Sequence, residues 1–148
     1  MPAGGDIQSA IVTASDGDVI QLAAGTYQPV STINLFGKAV TLRGATDSSS
    51  GELLSILDGQ DTIRLLICRS DEGPGTVFEN LIVENGRGQL EFFIDTLEAP
   101  YAIAGGGLYI ESANPTVTGC VFRHNVSVTT DLYTGLGAGV QVNTGGLT

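Results

Sequence analysis

Residues 77–86 read VFENLIVENG and residues 116–125 read TVTGCVFRHN. Aligned with an offset of 39, Leu81 falls over Cys120 and Val83 over Phe122. Both runs alternate apolar and polar residues, and each carries an asparagine, Asn85 or Asn125, at or near the turn that follows. That is the period of a half-buried strand. A second pair behaves the same way: GGLYIES (106–112) lines up with AGVQVNT (138–144) at an offset of 32, Leu108 over Val140 and Ile110 over Val142. In a third pair, AVTLRG repeats DVIQLAAG, and an offset of 20 sets Leu22 over Leu42. Recurring strands at such spacings predict stacked units, each placing its inward residues on those of the next.

Outward from this centre the chain keeps the same texture. Short β-rich runs occupy 19–22, 32–36, 39–44, 54–59, 64–70 and 137–142, separated by Gly, Asn, Asp and Ser. One segment has a helical period. Residues 6–15 place Ile7, Ala10, Ile11 and Ala14 on one face, behind Asp6 as an N-cap, and Asp16-Gly17-Asp18 ends it. No second helix of that length is called for, so βαβ units are not expected.

Composition narrows the function classes. The 148 residues are enough for one domain, and 42% hydrophobic residues are enough for a core. Six Lys and Arg against sixteen Asp and Glu give a net charge of −10, which argues against a nucleic-acid partner. No apolar run is long enough to span a membrane. The opening MPAGGDIQSA has neither a basic nor an apolar leader segment, so no signal peptide is expected and the start reads as a mature or cut terminus. Cys68 and Cys120 sit in apolar runs without C-x-x-C spacing. They read as buried thiols acting as small hydrophobes, with a disulfide between them left open.

The run 6–27, DIQSAIVTASDGDVIQLAAGTY, resembles the N-terminal cap and first coil of right-handed parallel β-helix proteins of the pectin-lyase-like superfamily. GKAVTLRGA (37–45), ILDGQ (56–60), VFENLIVENG (77–86) and GGGLYIESANPTVTGCVFRHN (105–125) look like its rungs. The resemblance covers nearly the whole chain. It implies an all-β, single-stranded right-handed solenoid of four or five coils over 17–148, capped by a helix at 6–15, in one domain. It also implies a secreted or cell-surface location, and that Asn80, Asn85 and Asn125 are turn asparagines bonding backbone between coils. Residues 137–148 resemble only the first half of the unit at 105–116, so the chain reads as cut within a coil. An open end of this kind predicts self-association through the C-terminal coils.

The enzymes of that superfamily supply motifs to look for. Gly25-Thr26-Tyr27-Gln28-Pro29 matches the Gly and Tyr of an esterase-type G-x-Y-x-E but carries Pro29 in place of the acid. The N-x-D, D-D, G-H-G and R-x-K of polygalacturonase-like enzymes do not occur, and there is no Trp for a lyase-type strand motif. His124, the one histidine, sits at a strand end and reads as a turn residue. The expectation is therefore a non-catalytic segment that binds polysaccharide or a protein through long loops. The alternative is the N-terminal part of a lyase or hydrolase with its catalytic coils elsewhere.

Two places are candidate sites. The insertion at 87–104, with Leu90, Phe93, Ile94 and Leu97 at helical spacing, reads as a short helix or hairpin. Its Phe92, Phe93 and Tyr101, with Tyr133 from the loop at 126–136, are the candidate ligand-binding residues. For metal, Asp16 with Asp18 and Asp58 with Asp61 are the candidate calcium loops, although none has EF-hand spacing and turn formation explains the same residues. No other cofactor is expected.

Overall fold

The structure is a computed structural model that describes residues 1–92, 101–130 and 134–143, Phe92 and Thr134 by their backbone alone. It is mostly β with one short helix, and its main sheets are parallel. Helix α1 spans Ile7–Thr13. The Asp6 carboxylate accepts from the Ser9 amide at 3.2 Å, satisfying one of the free donors of the first turn. At the other end the Lys38 ammonium donates to the carbonyls of Ile11, Val12 and Ala14 at 2.7–2.8 Å. Three free acceptors are thus satisfied by one cation placed where the helix dipole favours it. Ile7 and Ile11, one turn apart, enter the core.

Fifteen strands follow among the described residues. By the order in which they join the sheets, the strands fall into four sets, or circuits, of which the first holds β1 (Val19–Gln21), β2 (Gly25–Tyr27) and β3 (Ile33–Asn34). A second holds β4 (Thr41–Arg43), β5 (Ser55–Asp58) and β6 (Leu66–Cys68). A third holds β7 (Val77–Glu79), β8 (Ile82–Glu84), β9 (Gln89–Phe92), β10 (Tyr101–Ala104) and β11 (Leu108–Glu111). The last holds β12 (Thr116–Thr118), β13 (Val121–Arg123), β14 (Thr134–Leu136) and β15 (Val140–Asn143). Each circuit adds one strand to each of three parallel sheets, ordered β1-β4-β7-β12, β2-β5-β8-β13 and β3-β6-β11-β15.

Inward residues stack in rows that cross the circuits. One row runs Ile20, Leu42, Phe78 and Val117, and another Tyr27, Leu57, Val83 and Phe122. A third runs Ile33, Leu66, Leu108 and Val140. All belong to, or pack against, one apolar core that also takes in Ile7 and Ile11. The offsets of 39 and 32 are the observed registers. The third offset is corrected: Ile20, not Leu22, pairs with Leu42, an offset of 22. A slip of two leaves every side chain on the same face, so alternation alone does not distinguish the two registers.

The run at 76–86 is two strands. Asn80 turns the corner between β7 and β8 with φ 56°, and Gly119 does so between β12 and β13 with φ 61°. One circuit earlier Gly44 occupies the same corner. A Cβ there would lie 2.1 Å from the Asn80 carbonyl oxygen, so the stacking admits only glycine.

The insertion at 87–104 begins and ends as a hairpin: β9 and β10 pair antiparallel, and β14 joins β10 in parallel. This fourth, three-stranded sheet carries strands only in the last two circuits. Ala102 and Ala104 form a small second cluster with Ile67 and Tyr109, whose strands belong to the third sheet. That cover explains why β6 is buried at all three positions, where β1 and β4 alternate. Among the described residues no helix is long and apolar enough to cross a membrane.

Candidate functional site

The fourth sheet has two unlike faces. Cross-strand partners share a face, so Glu91 and Ala102 point one way while Leu90, Tyr101 and Ile103 belong to the other. Leu90 is 49% exposed, Tyr101 45%, and Ile103 half-buried. The result is an apolar outward ledge. The candidate residues Phe92 and Tyr101 are brought together here as register partners. Phe93 and Tyr133 lie outside the described residues.

Behind the ledge lies an ionic cluster. Arg64 is 1% exposed, immediately before the apolar run that becomes β6. Its guanidinium donates to the carbonyls of Gly105 and Ala104 at 2.9 and 2.8 Å and to the Glu91 carboxylate at 2.5 Å. Arg69 donates to the other Glu91 oxygen at 2.6 Å and lies 3.2 Å from Glu111. The Tyr109 ring sits under both cations, 4.5 Å from the Arg64 guanidinium carbon and 5.3 Å from that of Arg69. Burial pulls the Arg64 pKa down, against the pull of Glu91 that keeps it charged. Burial likewise pushes the Tyr109 phenol up. A carboxylate between two guanidiniums over an aromatic face is well paired, and it fixes β9 and β10 on the third sheet. Arg64 and Glu91 are engaged with each other, with Arg69 and with the carbonyls of Ala104 and Gly105, which ties the ledge to the strands behind it.

No sequence motif announced this cluster. The available signal was contextual: in a chain with only 15% charged residues, Arg64 and Arg69 bracket the apolar LLIC, and Glu91 interrupts another apolar run.

The candidate calcium acids lie in or beside turns, Asp58 as the last residue of β5. Asp16 accepts from the Ala39 amide at 2.9 Å and Asp18 from the Ser15 amide at 2.8 Å. Asp58 accepts from the Asn85 side chain at 2.9 Å, the Gln60 amide at 3.0 Å and the Gln28 side chain at 3.2 Å. Burial pushes the Asp58 carboxyl up, and these three donors outweigh it and hold the carboxyl below its ordinary value. Asp61 sits in the following turn with φ 55°, its amide donating to the Asn85 carbonyl. Among the described residues no three His, Cys, Asp or Glu side chains are placed to hold a metal ion.

Of the turn asparagines, Asn125 has the expected bonds to backbone, whereas the Asn85 carboxamide donates to the Asp58 carboxylate. Asn125 accepts from the Gly86 amide at 2.8 Å and donates to the Val83 carbonyl at 2.9 Å, bridging two circuits. His124 is exposed, with φ 54°, at the end of β13. Cys68 and Cys120 are free thiols, and burial pushes both up and away from reactivity.

A cleft of about 290 Å³ lies between Gly4–Gln8 and Tyr27–Ile33. Two of its polar side chains are engaged: Gln8 exchanges two bonds with the Asn34 backbone, and the Tyr27 hydroxyl donates toward the carbonyls of Met1 and Ala23. Compared with protein-family models, curated proteins and solved structures, the chain finds no match in any of the three.

Proposed function

We propose that this chain is a right-handed parallel β-helix segment of the pectin-lyase-like kind, and that it works as a non-catalytic binding element of a secreted or cell-surface protein. Three sheets visited in a fixed order, one strand per circuit, support the solenoid reading. Parallel crossovers are overwhelmingly right-handed, which supports the hand.

The observation that carries the binding role is the outward ledge. Leu90, Tyr101 and Ile103 face away from the core on a sheet pinned from behind by Arg64, Glu91 and Arg69. An apolar, aromatic strip on a rigid backing suits stacking against the faces of sugar rings. The net charge of −10 favours neutral polysaccharides over polyanionic ones. Retention on immobilised neutral and acidic polysaccharides tests this. Neutral material should retain the wild type and lose Tyr101→Ala at unchanged thermal stability. Equal passage of both proteins through every matrix contradicts it.

A second reading concerns self-association. Strands β12, β13 and β15 each pair on one edge only among the described residues. Val117, Phe122, Val140 and Val142 lie half-buried on the same side of the core. These edges suit a second copy of the chain. Sedimentation over a concentration series should show dimers, and a monomer at every concentration contradicts it.

A further inference from the structure

We propose that the Asn85–Gly86 peptide is a latent deamidation site held shut by the Asn125 carboxamide of the following coil. An asparagine followed by glycine is chemically exposed, because no side chain shields the next backbone nitrogen. That nitrogen attacks the asparagine Cγ, a C–N bond closes a succinimide ring, and ammonia leaves. Water then opens the ring to aspartate or isoaspartate. Asn85-Gly86 is the one Asn-Gly pair in the chain.

Four hydrogen bonds oppose the attack. The Gly86 amide donates to Asn125 Oδ1 at 2.8 Å, so its proton and its direction are committed away from Asn85. The Asn85 carboxamide donates to Asp58 at 2.9 Å, which holds Cγ toward the preceding coil. The peptide is also held at both carbonyls, Asn85 by the Asp61 amide at 2.7 Å and Gly86 by the Val126 amide at 2.8 Å. Two of these partners, Asn125 and Val126, come from the last circuit. When that circuit lifts away locally, the Gly86 nitrogen is released while Asn85 stays in place.

The modification is not neutral here. It exchanges the Asn85 donor for a carboxylate facing the Asp58 carboxylate, which already accepts from three donors. Two carboxylates at that distance repel. The isoaspartate form also inserts a backbone carbon directly after β8, at the corner that sets the register of Val83 on Phe122. The chain thus carries a chemical record of how long its last coil has been unseated.

Wild type, Asn125→Ala and Asn125→Asp are incubated at mildly alkaline pH and digested with trypsin. The peptide 70–87 is then scored for deamidation at each asparagine. Asn80, followed by leucine in the same peptide, is the internal control. Asn125→Ala should deamidate at Asn85 many-fold faster than wild type. Asn125→Asp, which keeps the acceptor, should stay close to wild type, and Asn80 should remain intact throughout. Equal rates in wild type and Asn125→Ala, with circular dichroism unchanged, overturn the proposal. Hydrogen exchange at the wild-type Gly86 amide needs no variant. Protection matching the β13 amides supports the guard, and exchange at the rate of an open peptide overturns it.

Discussion

Arg64→Met isolates the buried ionic cluster. Methionine fills similar volume without charge, so the variant removes a cation rather than opening a large hole. Four acceptors lose a donor at once: Glu91 Oε1 and the carbonyls of Gly105, Ala104 and, at 3.5 Å, Gln89. Breaking a buried pair from one side costs about 3–5 kcal/mol, because a charge is left uncompensated. Arg69 still faces the second Glu91 oxygen, which sets the expectation at the low end, about 3 kcal/mol. Urea unfolding should show that loss, and the melting temperature should fall by roughly 6–12 °C at roughly 2–4 °C per kcal/mol. The damage should start locally. Amide exchange at Ala102–Ala104 should accelerate far more than at Leu42 or Val83. The double variant Arg64→Met with Glu91→Gln should recover part of the loss, since no unpaired buried carboxylate remains. A cost under about 1 kcal/mol for Arg64→Met alone would refute the reasoning, because that is the value of an exposed pair.

Other perturbations have distinct signatures. Lys38→Met frees the carbonyls of Ile11, Val12 and Ala14 and should cost about 1–2 kcal/mol, with the loss of far-UV helical signal preceding the main unfolding transition. Gly44→Ala drives a Cβ to 2.1 Å from the Asn80 carbonyl oxygen and should destabilise by several kcal/mol, read by urea unfolding. Asp58 has a folded pKa below its unfolded one, so its contribution is full above the ordinary carboxylate range and is lost as pH falls through the depressed value. Asp58→Asn should therefore flatten the acid limb of a stability-versus-pH curve while leaving the alkaline limb alone. An unchanged acid limb counts against the role given to its three donors.

Much of the fold was legible because the stacking is written into repeated residues. The pairs Val83–Phe122 and Leu108–Val140 needed only alternation and self-similarity to find. The slip between Leu22 and Ile20 shows the limit, since a two-residue shift preserves faces and only backbone bonding decides. The insertion was harder. Leu90 and its apolar neighbours offered helical and strand periods together, and the choice fell to antiparallel pairing with Tyr101–Ala104 at the far end of the same insertion. The ionic cluster behind the ledge was not legible at all from motifs, because Arg64 and Glu91 meet only when the fourth sheet folds onto the third. The acid loops are ambiguous for a related reason: from sequence Asp16, Asp18 and Asp58 fit a calcium loop and a capped turn equally well, and only the fold supplies their hydrogen-bond partners.

The stacked parallel circuits are tested most directly by proton contacts in a nuclear magnetic resonance spectrum of the intact chain. The Leu42 methyls should touch both Ile20 and the Phe78 ring, and no close Hα–Hα contacts should cross β1, β4 and β7. Close Hα–Hα contacts between these strands, or Leu42 in contact with neither partner, would contradict the account.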